Sequence, residues 1–341
     1  MSADAAGGRL DTTRGLGGPD RRRWGRFPPS ATVAVLAVLA LVAVVVFMTI
    51  EARGAWSFII PFRGRKVLGM ALVGTAIAAS TVMFQTITNN RILTPSIMGF
   101  DALYMLIQTV AVYTFGVATF AIVDRNLMFV IEVAVMIAFS GALFYLLFVV
   151  GQRSLHLLVL VGIVFGVMIR SLTNLLQRVM DPLAFAVLQD AGFASFNAID
   201  RTLLLISSII VVAVLVAMWR MRFTLDILAL GRDMAINLGV NYQRSVMLVL
   251  AGITALVSVS TALVGPITFF GLLVANLAYA LVRSYRHRVI IPAAALLATI
   301  TLVAGQTVLE RVFQFDTSLS VIIEFAGGLL FIYLLVRGVV R

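Results

Sequence analysis

Three carboxylates lie inside stretches that are otherwise apolar: Asp101, Glu132 and Glu324. A charged side chain at the centre of a bilayer costs about 2.5–3.5 kcal/mol, so such groups face a bundle interior, a water-filled path or an interface. Placed at one depth, three carboxylates would suit a proton relay. Placed apart, they would serve local packing. Asp101 opens its apolar stretch, where the positive end of a helix dipole favours a carboxylate, and this predicts an interfacial position. Glu132 follows Leu127 closely and is expected to face the bundle or to snorkel. Glu324 and Gln85 are each read as candidates for polar packing between helices, with contact to a passing polar molecule as the alternative for Gln85.

Other chemistries are excluded. The chain has no cysteine, hence no disulfide and no thiolate metal site. Its two histidines, His156 and His287, both fall in short polar connections far apart in sequence, so neither a haem nor a zinc site is expected. A phosphate-binding loop needs Gly-Lys-Ser/Thr. The one lysine, Lys66, stands between Arg65 and Val67. ATP hydrolysis is therefore not expected in this chain, no catalytic residue is assigned, and any ATP energy must arrive from a partner.

The elements that must position these groups follow from composition. Of 341 residues, 61% are hydrophobic and 12% charged, against roughly 25% charged in a soluble domain. The apolar runs are about twenty residues long, the length of a membrane-crossing helix, and not alternating strands of about ten. The expected fold is all-α, a polytopic membrane protein with about ten spans: 31–50, 67–88, 102–117, 127–150, 155–175, 203–219, 246–263, 268–281, 289–308 and 318–336. Residues 1–26 form a Gly-, Asp- and Arg-rich tail without an apolar face, expected to be disordered; residues 27–341 form the membrane domain. An even number of spans puts both ends on one side. About seventeen of the 26 basic residues then fall on that side, which makes it the cytoplasm. The net charge of +11 is read as cytoplasmic loops and not as a nucleic-acid surface.

One polar island interrupts the spans, at 224–244. Its apolar residues recur at helical spacing with Asp226, Arg232 and Asp233 between them, and Gly231 and Gly239 punctuate it. Alone, it reads as a helix resting on the membrane surface. A faint repeat links 71–82 with 250–263, which share small-residue spacing and a Ser-Thr pair; such repeats suit transporters.

Three stretches together resemble the FecCD-type permease family, the membrane subunits of ATP-driven importers for iron-siderophores, haem and cobalamin. Leu230-Gly231, Ala235 and Leu238-Gly239-Val240 resemble the family's cytoplasmic segment that seats in a cleft of the ATPase. Gly265-Pro266-Ile267-Thr268-Phe269-Phe270-Gly271-Leu272 resembles its GPIxFxGL run. Gln85 to Gly99, with Asn90 and Pro95, matches in part the loop after its second span. Where the family continues with Pro-His and then Arg, Ala275, Asn276 and Tyr279 stand here, a variant similar to a ferric-siderophore subgroup that often works beside a second, non-identical permease.

The resemblance implies an inner-membrane permease of a bacterial ATP-binding-cassette importer. Its partners would be an ATPase subunit, a second permease and an extracytoplasmic binding protein, and its cargo a ferric siderophore. The chain itself would bind no cofactor, and the partner ATPase would use ATP and Mg. It also implies roles: Leu230, Gly231, Ala235, Leu238 and Gly239 in ATPase coupling; Arg63, Arg65, Lys66 and Arg311 in docking the binding protein; Ser154, Leu155 and His156 at a cytoplasmic gate; Gln85 and Glu324 along the path. The alternatives are a proton-coupled secondary transporter using the three carboxylates, or a family importer of haem or cobalamin.

Overall fold

The computed structural model describes residues 28–52, 54–120, 122–146, 155–197, 199–282, 284–315 and 317–336. The tail at 1–26 lies outside them. The described residues form thirteen α-helices and no strand. Eight of these helices are long and apolar enough to cross a membrane: α1 (Pro29–Thr49), α2 (Trp56–Thr88), α3 (Phe100–Phe120), α4 (Arg125–Phe144), α5 (Leu155–Val179), α7 (Arg201–Arg220), α10 (Tyr242–Val264) and α12 (His287–Arg311). Two shorter apolar helices, α11 (Phe270–Val282) and α13 (Leu319–Val336), stand where the other two spans were expected. Short helices α6 (Pro182–Ala191), α8 (Arg222–Leu228) and α9 (Arg232–Asn237) lie in the connections.

Helices α2 and α10 form the centre, each mostly enclosed by the rest of the bundle. They pack against one another, α12 lies along α2, and α1 lies on α12. These are the two helices of the faint small-residue repeat. Ser80, Thr81, Ser258 and Ser260 on them are all buried, as close helix packing in lipid favours. In contrast α1 fully buries only Leu36, Ala40 and Phe47 and leaves much of its surface exposed. Starts of elements are marked by side-chain caps. The carboxylates of Asp124, Asp181 and Asp200 accept from the first free amides of α4, α6 and α7, and Asn241 does the same for α10.

Helix α2 is longer than the apolar run predicts. It holds 33 residues, about 50 Å at 1.5 Å per residue, and begins eleven residues before the expected 67. Its extra turns carry Arg63, Arg65 and Lys66, whose charges keep hydropathy from marking that part of the helix.

Two breaks enter the bundle from opposite directions. A 3₁₀ turn at Pro95–Met98 leads through Gly99, φ +97°, into α3. Its backbone touches α5 closely enough that a Cβ on Gly99 would meet the Gly166 Cα at 2.8 Å. Gly265, φ +95°, ends α10, and after Pro266 and Ile267 the chain turns back as α11. At 13 residues α11 is about 20 Å long, too short for a hydrocarbon core of about 30 Å, so it starts inside the bundle. Irregular backbone at membrane depth is tolerated where protein surrounds it.

Candidate functional site

At one end of the bundle, the 224–244 island folds as α8, a break, and α9. Leu225 and Leu228 of α8 are fully buried, against α2 and α12. Helix α9 buries Ala235, and it and its flanks leave Leu230, Met234, Ile236 and Leu238 between 46% and 57% exposed. Both flanking glycines have conformations that side chains disfavour. Gly231 lies at φ +93°, ψ 169°, a region left essentially to glycine. Gly239 lies at φ +82°; its amide donates to the Ile236 carbonyl at 2.9 Å and the Val240 amide to the Ala235 carbonyl at 3.0 Å. That pair of bonds is a Schellman ending. Neither glycine is crowded, so backbone torsion, and not space, selects glycine. The result is a rigid, two-turn apolar knob carried outside the bundle. Arg91 stacks on Tyr279 and Tyr285 at this end, and Arg222 on Trp219 and Phe223. With Arg220, Arg244, Arg286 and Arg288 they make the arginine-rich belt of a cytoplasmic face.

Asp226 of α8 is not a solvated charge of an amphipathic helix. Its Oδ1 accepts from the His287 main-chain amide at 2.8 Å and lies 2.6 Å from His287 Nδ1. His287 is the first residue of α12 and is buried, which corrects its placement in a polar connection. Its Nε2 lies 2.7 Å from the Thr86 hydroxyl in the last turns of α2. The sequence held no signal for this pairing, since Asp226 and His287 are 61 positions apart.

The expected gate is described in part. Ser154 and the His156 side chain lie outside the described residues, and Leu155 is buried in its own subunit at 6% exposure. Gln85 is 3% exposed and its Nε2 donates to the Arg91 carbonyl at 2.7 Å. It shapes the loop after α2 and does not line an open path, which corrects that expectation and favours packing.

An unexpected polar stripe runs along α5. Arg170, Asn174 and Arg178, one turn apart, are all exposed on a helix long and apolar enough to span. Such a stripe cannot face hydrocarbon cheaply. The i, i+4, i+8 spacing was present in the sequence, across the end of a run, 155–175, assigned only by hydropathy. Arg170 lies near Asp101, together with Thr268, Ser96 and Glu324. Glu324, partly exposed, also lies near Thr268, just before the start of α11. Asp101 is in the first turn of α3, as expected, but is 8% exposed and deep in the bundle, not interfacial. The 3₁₀ turn that precedes α3 sinks that helix start to the level of Gly162 and Gly166. Glu132 is elsewhere, buried and accepting from Gln108 Nε2 at 2.7 Å. The three carboxylates thus do not form one relay.

At the opposite end the four cations expected to dock a partner have separate fates. Lys66 is 6% exposed; its Nζ lies 2.7 Å from Glu310 Oε1 and donates to Asn197 Oδ1 at 2.9 Å. Its charge is consumed inside the chain, which removes it from an accessible set. Arg63 donates to the carbonyls of Phe47, Met48 and Ile50, closing the C-terminal end of α1. Arg311 pairs with Glu51 at 2.7 Å and donates to the Ile50 carbonyl, remaining partly exposed. Arg65 is exposed and makes one long bond, 3.3 Å, to the Pro61 carbonyl of its own helix.

The FecCD transport family matches residues 27–337. The chain is 48% identical to the petrobactin import system permease protein YclO of Bacillus subtilis (strain 168), over 89% of this chain and 96% of that one. It is 36% identical to the petrobactin import system permease protein FatC of Bacillus anthracis, over 90% and 87%. A solved structure of a transporter described as of the metal-chelate ABC type, in an inward-facing conformation, superposes with a TM-score of 0.79 at 21% identity, over 91% of this chain and 99% of that one. A shared overall fold, relatives of 48% and 36% identity, and a family pattern over nearly the whole length lead to one conclusion: this chain belongs to the FecCD transport family.

Proposed function

We propose that this chain is one permease subunit of an ATP-binding-cassette importer that moves a ferric siderophore, petrobactin in the first instance, from an extracytoplasmic binding protein into the cytoplasm. The observation that carries the reading is the exposed apolar knob of α9, an element with no purpose in a self-sufficient channel and the right shape for a cleft in an ATPase. That ATPase would use ATP and Mg; this chain supplies the port. The polar stripe of α5 and the exposed face of α13, with Glu324, would meet their counterparts on a second permease and line the path between them. The siderophore assignment draws on two relatives named for petrobactin import. Uptake of ferric petrobactin by a deletion strain, restored by this gene with its partner subunits, tests it. Restoration by haem or cobalamin transport alone would replace the cargo and leave the importer class standing.

Two further results are expected. Arg170→Leu makes the outward face of α5 more apolar without altering its packing, and should cut uptake by roughly tenfold, the scale of one lost charge-assisted contact. Assembly with the ATPase should persist. Arg65→Glu should weaken the permease's affinity for its binding protein, and the wild-type affinity should fall as salt rises, because exposed charge pairing is screened. Binding indifferent to Arg65→Glu and to salt would remove the docking role from this end of α2.

A further inference from the structure

We infer that Asp226, His287 and Thr86 form the strut through which movement of the cytoplasmic knob reaches the core of the permease. The inference rests on the reading of α9 as the ATPase port, and it adds the internal part that such a port requires.

A knob can be pushed without moving the helices behind it. Helix α9 packs chiefly on α8 and α10. Helix α8 is the piece that touches α2 and α12, the pair with the most extensive mutual packing in the molecule. Apolar contacts of Leu225 and Leu228 hold α8 in place, but they resist sliding poorly. Asp226 adds a directional bond of two parts. Its Oδ1 accepts from the main-chain amide that begins α12, at 2.8 Å, and from the ring of the same residue at 2.6 Å. The residue preceding α12, Arg286, offers no side-chain cap. Asp226 therefore caps α12 from another helix, with its negative charge at the positive end of the helix dipole.

The ring then extends the link. A carboxylate only accepts, so Nδ1 carries a hydrogen and donates to Asp226. Nε2, at 2.7 Å from the Thr86 hydroxyl, donates to it when the ring is charged and accepts from it when the ring is neutral. Either way the chain of bonds is unbroken. The Thr86 hydroxyl has one hydrogen, which goes to the Val82 carbonyl at 2.8 Å when the ring is charged and to Nε2 when the ring is neutral; Thr86 is itself part of α2, so the link to that helix holds in both forms. One imidazole thus joins α8, α12 and α2 at one point. At the far end of α2 and α12 the Lys66–Glu310 pair joins the same two helices again. Helices tied at both ends move as a rigid body, the form of motion by which packed elements switch between arrangements.

The test uses the full complex in proteoliposomes, with substrate transported per ATP hydrolysed as the readout. A merely structural loss lowers the amount of active complex, so uptake and hydrolysis fall together and their ratio stays constant. A broken strut lets the ATPase turn over while the core follows poorly. Asp226→Ala and His287→Ala are expected to lower the ratio by about tenfold while ATPase subunits still co-purify. Asp226→Asn keeps an acceptor for the amide and for Nδ1–H and should retain most of the coupling. If the alanine variants fail to assemble, Thr86→Val, which preserves shape and removes the hydroxyl, should lower the ratio on its own. Wild-type ratios in whichever of Asp226→Ala, His287→Ala and Thr86→Val assemble overturn the strut. Failure of the underlying port reading is distinguishable: there, substitutions confined to the exposed α9 surface would leave ATPase co-purification unchanged.

Discussion

Replacing Gly239 with proline is expected to abolish ATP-driven uptake while leaving the protein inserted in the membrane. The position holds φ +82°, and a proline ring fixes φ near −65°. The substitution also deletes the amide that donates to the Ile236 carbonyl, and it displaces the neighbouring Val240–Ala235 bond, so the Schellman ending is lost. The distortion costs about 3 kcal/mol or more, and each 1.4 kcal/mol is about a factor of ten. The docking-competent form should therefore decline by roughly two orders of magnitude. Insertion should survive, because α7 and α10 on either side carry their own spanning sequences. Gly239→Ala separates torsion from bulk. Nothing lies near a Cβ at this position, so alanine costs about 1–2 kcal/mol for its left-handed torsion alone and uptake should be intermediate. Transport at the normal rate by Gly239→Pro, measured in proteoliposomes with the ATPase, would disprove the role of this segment.

The spans were legible in the sequence because hydrocarbon imposes one rule on every backbone crossing it. The Gly265-Pro266 break and the Gly231 and Gly239 punctuation were legible for a related reason: each glycine occupies a torsion that other residues disfavour. What was illegible lies in tertiary pairing. Arg63, Arg65 and Lys66 read as one cluster of exposed cations, yet a helix turns successive residues to different faces. Arg63 reaches the end of α1, Arg65 faces solvent, and Lys66 points inward. No local pattern could indicate that Lys66 meets Glu310, 244 positions away. Asp101 misled for a different reason. Its helix-start chemistry was read correctly, but a helix start marks the membrane surface only when no re-entrant turn precedes it.

Lys66→Met is expected to destabilise the folded permease by about 3–5 kcal/mol, the range for removing one partner of a buried ion pair. Lys66 and Glu310 have side-chain exposures of 7% and 11%. Their charges are matched by further bonds: Asn197 accepts from Lys66, and Gln306 donates to both Asn197 and Glu310. The aromatic faces of Phe62 and Phe315 lie 5.0 and 5.7 Å from the ammonium. Removing the ammonium leaves the Glu310 carboxylate out of water with one amide donor. The double variant Lys66→Met/Glu310→Met removes both charges and should recover most of the loss, since an apolar pair of similar volume commonly replaces a buried ion pair without penalty. Thermal unfolding of the detergent-solubilised complex reads both outcomes. A docking role predicts the reverse pattern: unchanged unfolding, weaker binding-protein affinity, and no rescue by a second substitution at Glu310. Because Lys66 ties α2 to α12 at the end opposite His287, the single variant should also loosen that helix pair. Limited proteolysis near Asn197 would then accelerate in Lys66→Met and return towards the wild-type rate in the double variant. Unaltered stability and proteolysis in the single variant would restore Lys66 to the exposed docking cations.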